Sequence, residues 1–142
     1  MKFKSGDLVD FNYSGRYARK VRGGGFETHR VTTIHDYHPY ALVLYWGNDI
    51  VHCVNTNYFK RNELLSFFEF LLGYRINKDN YDEVKNISNI DIGNPKSFYH
   101  NRLKAFLKRT TLGAYRTYIP SKIQSIGSVT IGDIFDWAGI IL

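Results

Sequence analysis

A chain of 142 residues with 44% apolar and 23% charged residues is long enough to bury a core and has the balance of a globular protein, not a disordered one. Its formal charge of +6 favours an acidic partner, either nucleic acid or an acidic protein surface, and its single cysteine, Cys53, excludes an internal disulfide. No run approaches the roughly 18 to 20 apolar residues of a membrane span, and the opening MKFKSGDLVDF holds no signal-peptide core, so a reducing, cytosol-like compartment is expected.

Turn residues Ser5-Gly6-Asp7 precede a first strand, Leu8, Val9 and Phe11 to Tyr13, which Gly15 ends. Arg16 to Phe26 reads as a loop around three glycines, Gly23 to Gly25. Ordering it carries a high entropy cost, so it is expected to be disordered alone and to order only against a partner. On that reading, deleting Arg19 to Gly25 leaves stability nearly unchanged. Thr28 to His35 alternates polar and apolar residues as a strand. Tyr40 to Trp46 and Ile50 to Val54 form a hairpin through Gly47-Asn48-Asp49.

Asn55 and Asn57 then close the sheet end and cap the next helix. The period changes to 3.6 from about Lys60 to Leu72, with Leu64, Leu65, Phe67, Phe68, Leu71 and Leu72 on one face and Gly73 as the stop. A short helix is expected at Tyr81 to Lys85. Asn94-Pro95 opens another, to about Thr110, with Phe98, Leu103, Phe106 and Leu107 turned inward. Gly113 breaks it. Tyr115 to Ile119, Pro120 and an apolar tail from Val129 to Leu142 complete the chain, Asp133 being placed as a helix cap. The fold class is α+β: one domain over 1–142, with a small antiparallel sheet or SH3-like barrel in the N-terminal part and helices packed on it in the C-terminal part.

Candidate chemistry is sparse. His35, His38, His52 and Cys53 carry metal-capable side chains. However, adjacent strand residues such as His52 and Cys53 face opposite ways, so no metal or other cofactor is expected. Cys53 in an apolar strand reads as core, the carboxylates lie at turns and strand ends, and no catalytic residues are assigned. The glycine triplet lacks the flanking residues of a phosphate loop.

Two basic groups stand out. Arg16, Arg19, Lys20, Arg22 and Arg30 surround the triplet, with Tyr17 and Phe26 interleaved, as an arm for a phosphate backbone or a neighbouring subunit. From Ile92 to Gly132 there is no acidic residue, while Arg102, Lys104, Lys108, Arg109 and Arg116 lie there beside Tyr99, Tyr115 and Tyr118. Helical spacing pairs Lys104 with Lys108 and Arg102 with Arg109 as a basic flank.

Two resemblances bear on function. GDLVDFNYSG, a basic loop and HPYALVL resemble the first third of toxin ribonucleases of the MazF/PemK class, though His38 stands where that family has Arg before the proline. This resemblance implies an SH3-like barrel and, as the alternative function, an endoribonuclease with Arg30 and Thr32 or Thr33 in the catalytic positions. The stretch from Phe11 to Tyr118, with Asn55-x-Asn57-Tyr58-Phe59 before an apolar helix and a later Tyr115-Arg116-Thr117-Tyr118, is similar to small proteins of tailed bacteriophages. It implies a basic, non-enzymatic phage protein. Such a protein would be a virion structural or assembly component in the virion or host cytoplasm, contacting other phage proteins, DNA or RNA, or further copies of itself. A host-takeover factor that binds DNA or RNA is a further alternative.

Overall fold

The computed structural model describes residues 3–14, 16–20, 26–30, 37–109 and 113–142, with 16–20 and 26–30 described through their backbone pairing. Seven strands, β1 (Leu8–Tyr13), β2 (Arg16–Lys20), β3 (Phe26–Arg30), β4 (Tyr40–Trp46), β5 (Val51–Asn55), β6 (Tyr115–Tyr118) and β7 (Ile123–Ser128), form one sheet in the order β3-β2-β6-β5-β4-β1-β7. Every pairing is antiparallel. The helices are α1 (Arg61–Leu72), α2 (Tyr81–Val84), α3 (Pro95–Phe98), α4 (Lys104–Arg109) and α5 (Ile131–Ala138), with a π turn, Tyr99–Leu103, joining α3 to α4. The fold is therefore α+β, as expected.

Alternation along the central strands supplies two cores. Leu8, Leu42, Leu44 and Val54 face the helices and pack with Leu64, Phe67, Phe68, Leu103, Phe106, Ile134 and Phe135. Val9, Phe11, Tyr13, Ala41, Val43, Val51, Cys53 and Tyr118 face the other way and are equally buried. The sheet itself covers this second face. β1 and β6 are separated by β4 and β5, so three strand spacings would hold them about 14 Å apart in a flat sheet. Yet the Tyr13 and Tyr118 rings lie 5.0 Å apart, and the Ile119 N–H donates to the Tyr13 hydroxyl at 3.2 Å. The sheet is thus strongly curled. β3 and β7 are its edges, and no pairing among the described residues closes it into a barrel.

Two expectations need correction. Arg16 to Lys20 belong to β2, not to a loop, and β2 pairs with β3 on one side and β6 on the other. Ladder bonds to residues far along the chain outweigh the local glycine content there. Arg22 and Gly23 to Gly25 lie outside the described residues, as do 31–35 of the expected Thr28 to His35 strand. Because Arg19 and Lys20 are the register partners of Glu27 and Phe26, deleting Arg19 to Gly25 removes ladder positions and is not a neutral change. At the C-terminal helix the cap is Thr130, whose hydroxyl accepts from the Asp133 N–H at 3.1 Å. Asp133 sits three positions inside and accepts from the Thr130 N–H at 2.9 Å. The reciprocal pair satisfies two of the helix's free donors.

The helices start and stop where local chemistry directs. The Glu63 carboxylate accepts from the Lys60 N–H, and Gly73 ends α1 at φ 81°. The Asn94 side chain accepts from the N–H groups of Lys96 and Ser97 ahead of Pro95. Gly6 has the tightest backbone requirement. Its φ is +89°, it bonds both Val43 and Ile90 through its backbone, and a Cβ there would overlap the Ile90 carbonyl oxygen. Gly6→Ala is therefore expected to lose at least about 2 kcal/mol, beyond the 1–2 kcal/mol of a left-handed alanine alone. Gly73→Ala, at a similar φ with open space around it, should lose only about 1 kcal/mol. Denaturant titration of both variants checks the difference.

Candidate nucleic-acid or partner interface

The hairpin exit is the frame on which the site residues sit. Asn55 is fully buried; its side-chain oxygen accepts from the Asn57 N–H at 3.0 Å and its amide donates to the Tyr118 hydroxyl at 2.9 Å. The Asn57 amide donates to the His38 carbonyl at 3.0 Å, and the Thr56 hydroxyl donates to the Tyr40 carbonyl at 2.6 Å. These bonds close the sheet end, as the sequence suggests, and hold β4, β5 and β6 in fixed relation.

Nearby, Asp10 and Asn12 stand two positions apart on β1, on the same face of the strand, and both reach His38. One ring nitrogen of His38 lies 2.7 Å from the Asn12 side-chain oxygen and the other 3.3 Å from an Asp10 carboxylate oxygen. An oxygen lies at each ring nitrogen, and the two contacts hold the ring in place. Cys53 is buried, and burial pushes its thiol far above the ordinary range, which keeps it protonated and poorly nucleophilic.

The basic arm runs from α3 through the π turn into α4. Phe98, Leu103, Phe106 and Leu107 are buried, as expected, while Lys96, His100, Arg102, Lys104, Lys108 and Arg109 are exposed. The π turn makes this possible. Phe98 and Leu103 are five positions apart, and in an uninterrupted α-helix the residue below Phe98 would be Arg102. The extra residue turns Leu103 inward and Arg102 outward. It also rotates the two halves of the arm against each other. The expected alignment of Arg102 with Arg109 over two regular turns is therefore corrected, while Lys104 and Lys108, both within α4, keep theirs.

The sequence-derived residues divide into three groups. Lys104, Lys108 and Arg109 are exposed and form no ion pair with another described residue. Arg102 and Arg116 are committed within the fold. The Arg102 guanidinium lies 4.9 Å from the Phe70 ring and 5.6 Å from the Phe98 ring, and donates to the Phe70 carbonyl at 3.3 Å near the negative end of α1. Arg116 stacks 4.5 Å over Tyr58. The tyrosines belong with this group: Tyr118 is fully buried against Phe11 and Tyr13 and presents no ring face to a partner, which corrects its expected surface role. Tyr115 is half-buried, with its hydroxyl 2.5 Å from a ring nitrogen of His52. Burial, and then the neighbouring Tyr99, push its phenol up, so it remains protonated. The third group is β2 and β3. Arg16 and Arg30 form one cross-strand register pair there, next to Tyr17 opposite His29, and Arg19 and Lys20 continue along β2. Arg22, Thr32, Thr33 and His35 lie outside the described residues.

Among the described residues no helix is long and apolar enough to cross a membrane. Comparison with protein-family models, with curated proteins and with solved structures finds no match to this chain.

Proposed function

We propose that the chain is a non-enzymatic, phage-type protein that binds nucleic acid within the virion or the infected host cytoplasm, through the cations of α4. One observation carries this reading: Lys104 and Lys108 sit one turn apart with Arg109 beside them, exposed and without an ion-pair partner among the described residues, inside a segment that has no carboxylate from Ile92 to Gly132. Like charges at that spacing repel by a few tenths of a kcal/mol, and a polyanion relieves the repulsion. The phage setting rests on the resemblance that runs from Phe11 to Tyr118. The ribonuclease alternative would rest on Arg30 with Thr32 or Thr33, and Thr32 and Thr33 lie outside the described residues.

Equilibrium binding to a labelled oligonucleotide at two salt concentrations tests the proposal. Affinity should fall steeply with salt, and Lys104→Gln with Lys108→Gln should reduce the slope of log K against log salt by about 1.5, the value for two lost phosphate contacts. Absence of binding at low salt would reject it.

A further inference from the structure

The cations account for attraction to any polyanion, but a second feature points to a narrower ligand. β4 carries a register shift between Val43 and Tyr45: Val43 lies opposite Cys53, yet Tyr45 lies opposite His52. Without the shift Tyr45 would face Val51 and belong to the buried face made by Val43, Val51 and Cys53. The bulge turns it out instead, and Trp46, opposite Val51, packs against that face in its place. Tyr45 is left 57% exposed.

Tyr45 is the outer member of a chain of rings. Its centroid is 6.1 Å from His52, His52 is 6.0 Å from Tyr115, Tyr115 is 4.9 Å from Tyr99, and Tyr99 is 5.3 Å from the exposed His100. The Tyr115 hydroxyl on the His52 ring fixes the middle of the series. The inner end stands on the π turn, where the Tyr99 carbonyl accepts from the Lys104 N–H. The aromatic row therefore leads from an exposed tyrosine on β4, across β5 and β6, to Tyr99 and His100 on the π turn that runs on into α4.

We propose that this row is a stacking site for the unpaired bases of single-stranded nucleic acid, with Tyr45 as the outermost platform and Lys104 and Lys108 holding the phosphates. The proposal rests on the polyanion reading above and narrows it. Bases in a duplex are already stacked on one another, whereas an unpaired base has a π face free for an aromatic ring. Charge selects the occupant: the ring row ends at Tyr99 and His100, on the same helical arm as Lys104 and Lys108 and in a segment without an acidic residue from Ile92 to Gly132, which favours a strand that carries both phosphates and bases.

The test uses fluorescence anisotropy with four probes of equal phosphate number: single-stranded DNA, single-stranded RNA of the same sequence, the DNA duplex, and a base-free sugar–phosphate strand. The base-bearing single strands should bind at least about tenfold more tightly than the base-free strand. Comparison of the DNA and RNA arms identifies which strand is preferred. Tyr45→Ala should remove most of that advantage without changing the salt slope or the melting temperature, and Tyr45→Phe should retain it. Equal affinity for base-bearing and base-free strands, or an unchanged affinity in Tyr45→Ala, overturns the stacking site and leaves the polyanion reading intact. Failure to bind any of the four probes at low salt overturns both.

Discussion

Phe67→Ala is expected to destabilise the fold by about 3–5 kcal/mol, the range for removing a buried aromatic ring and leaving a cavity behind. Phe67 is fully buried between layers: its ring lies 4.8 Å from Phe59, 5.5 Å from Phe68 and 5.8 Å from Phe106. It therefore touches the segment leaving β5, its own helix and α4 at once, and no single neighbour can move in to fill the void. For a domain of this size the loss corresponds to a drop in melting temperature of roughly 10 °C. Phe67→Leu, which keeps most of the volume, should cost about 1–2 kcal/mol. Thermal and denaturant unfolding measure both. If Phe67→Ala cost less than Phe67→Leu, the packing described for α1 against α4 would be wrong.

Asn55→Ala is expected to cost about 2–4 kcal/mol, although it removes little apolar surface. The side chain serves two buried partners, the Asn57 N–H and the Tyr118 hydroxyl, and alanine supplies neither bond. The loss is the desolvation of groups that then lack a bond, so it should depend on the partner. In a double-mutant cycle with Tyr118→Phe, a coupling of about 0.5–3 kcal/mol between the two sites is expected. Additive behaviour would mean that the Asn55–Tyr118 bond does not hold β5 to β6. Neither Phe67→Ala nor Asn55→Ala should alter the salt dependence of binding, since both leave Lys104 and Lys108 in place.

The parts of this fold that are legible in the sequence are those whose signals are local. α1 shows a strong 3.6-residue period and a glycine stop, α3 announces itself through Asn94-Pro95, and the β4–β5 hairpin lies in two apolar runs around a turn. β2 and β7 carry no such signal because their stability comes from partners far along the chain: β2 pairs with β6, and β7 with β1. The same reason explains the site. Tyr115 and Tyr118 look alike in Tyr-Arg-Thr-Tyr, and only their register against β5 separates the half-buried ring bonded to His52 from the fully buried one bonded to Asn55. Tyr45 is hidden in an apolar run, since a bulge moves it to the surface and no residue type in that run encodes a bulge. The π turn does leave a trace, the five-residue spacing from Phe98 to Leu103, which departs from the period of an α-helix.

The placement of β1 has a consequence for how the protein comes into being. β1 is bordered by β4 on one side and by β7 on the other, and the Tyr13 hydroxyl is engaged by Ile119, 106 positions later. A ribosome releases β1 well before β7, so until β7 follows the nascent sheet has one open flank and an uncovered aromatic face. Val9, Phe11 and Tyr13 are all on that face. Completion of the second core is therefore a late, long-range event, and chains stalled before β7 emerges present an unpaired strand edge that invites association with other nascent chains.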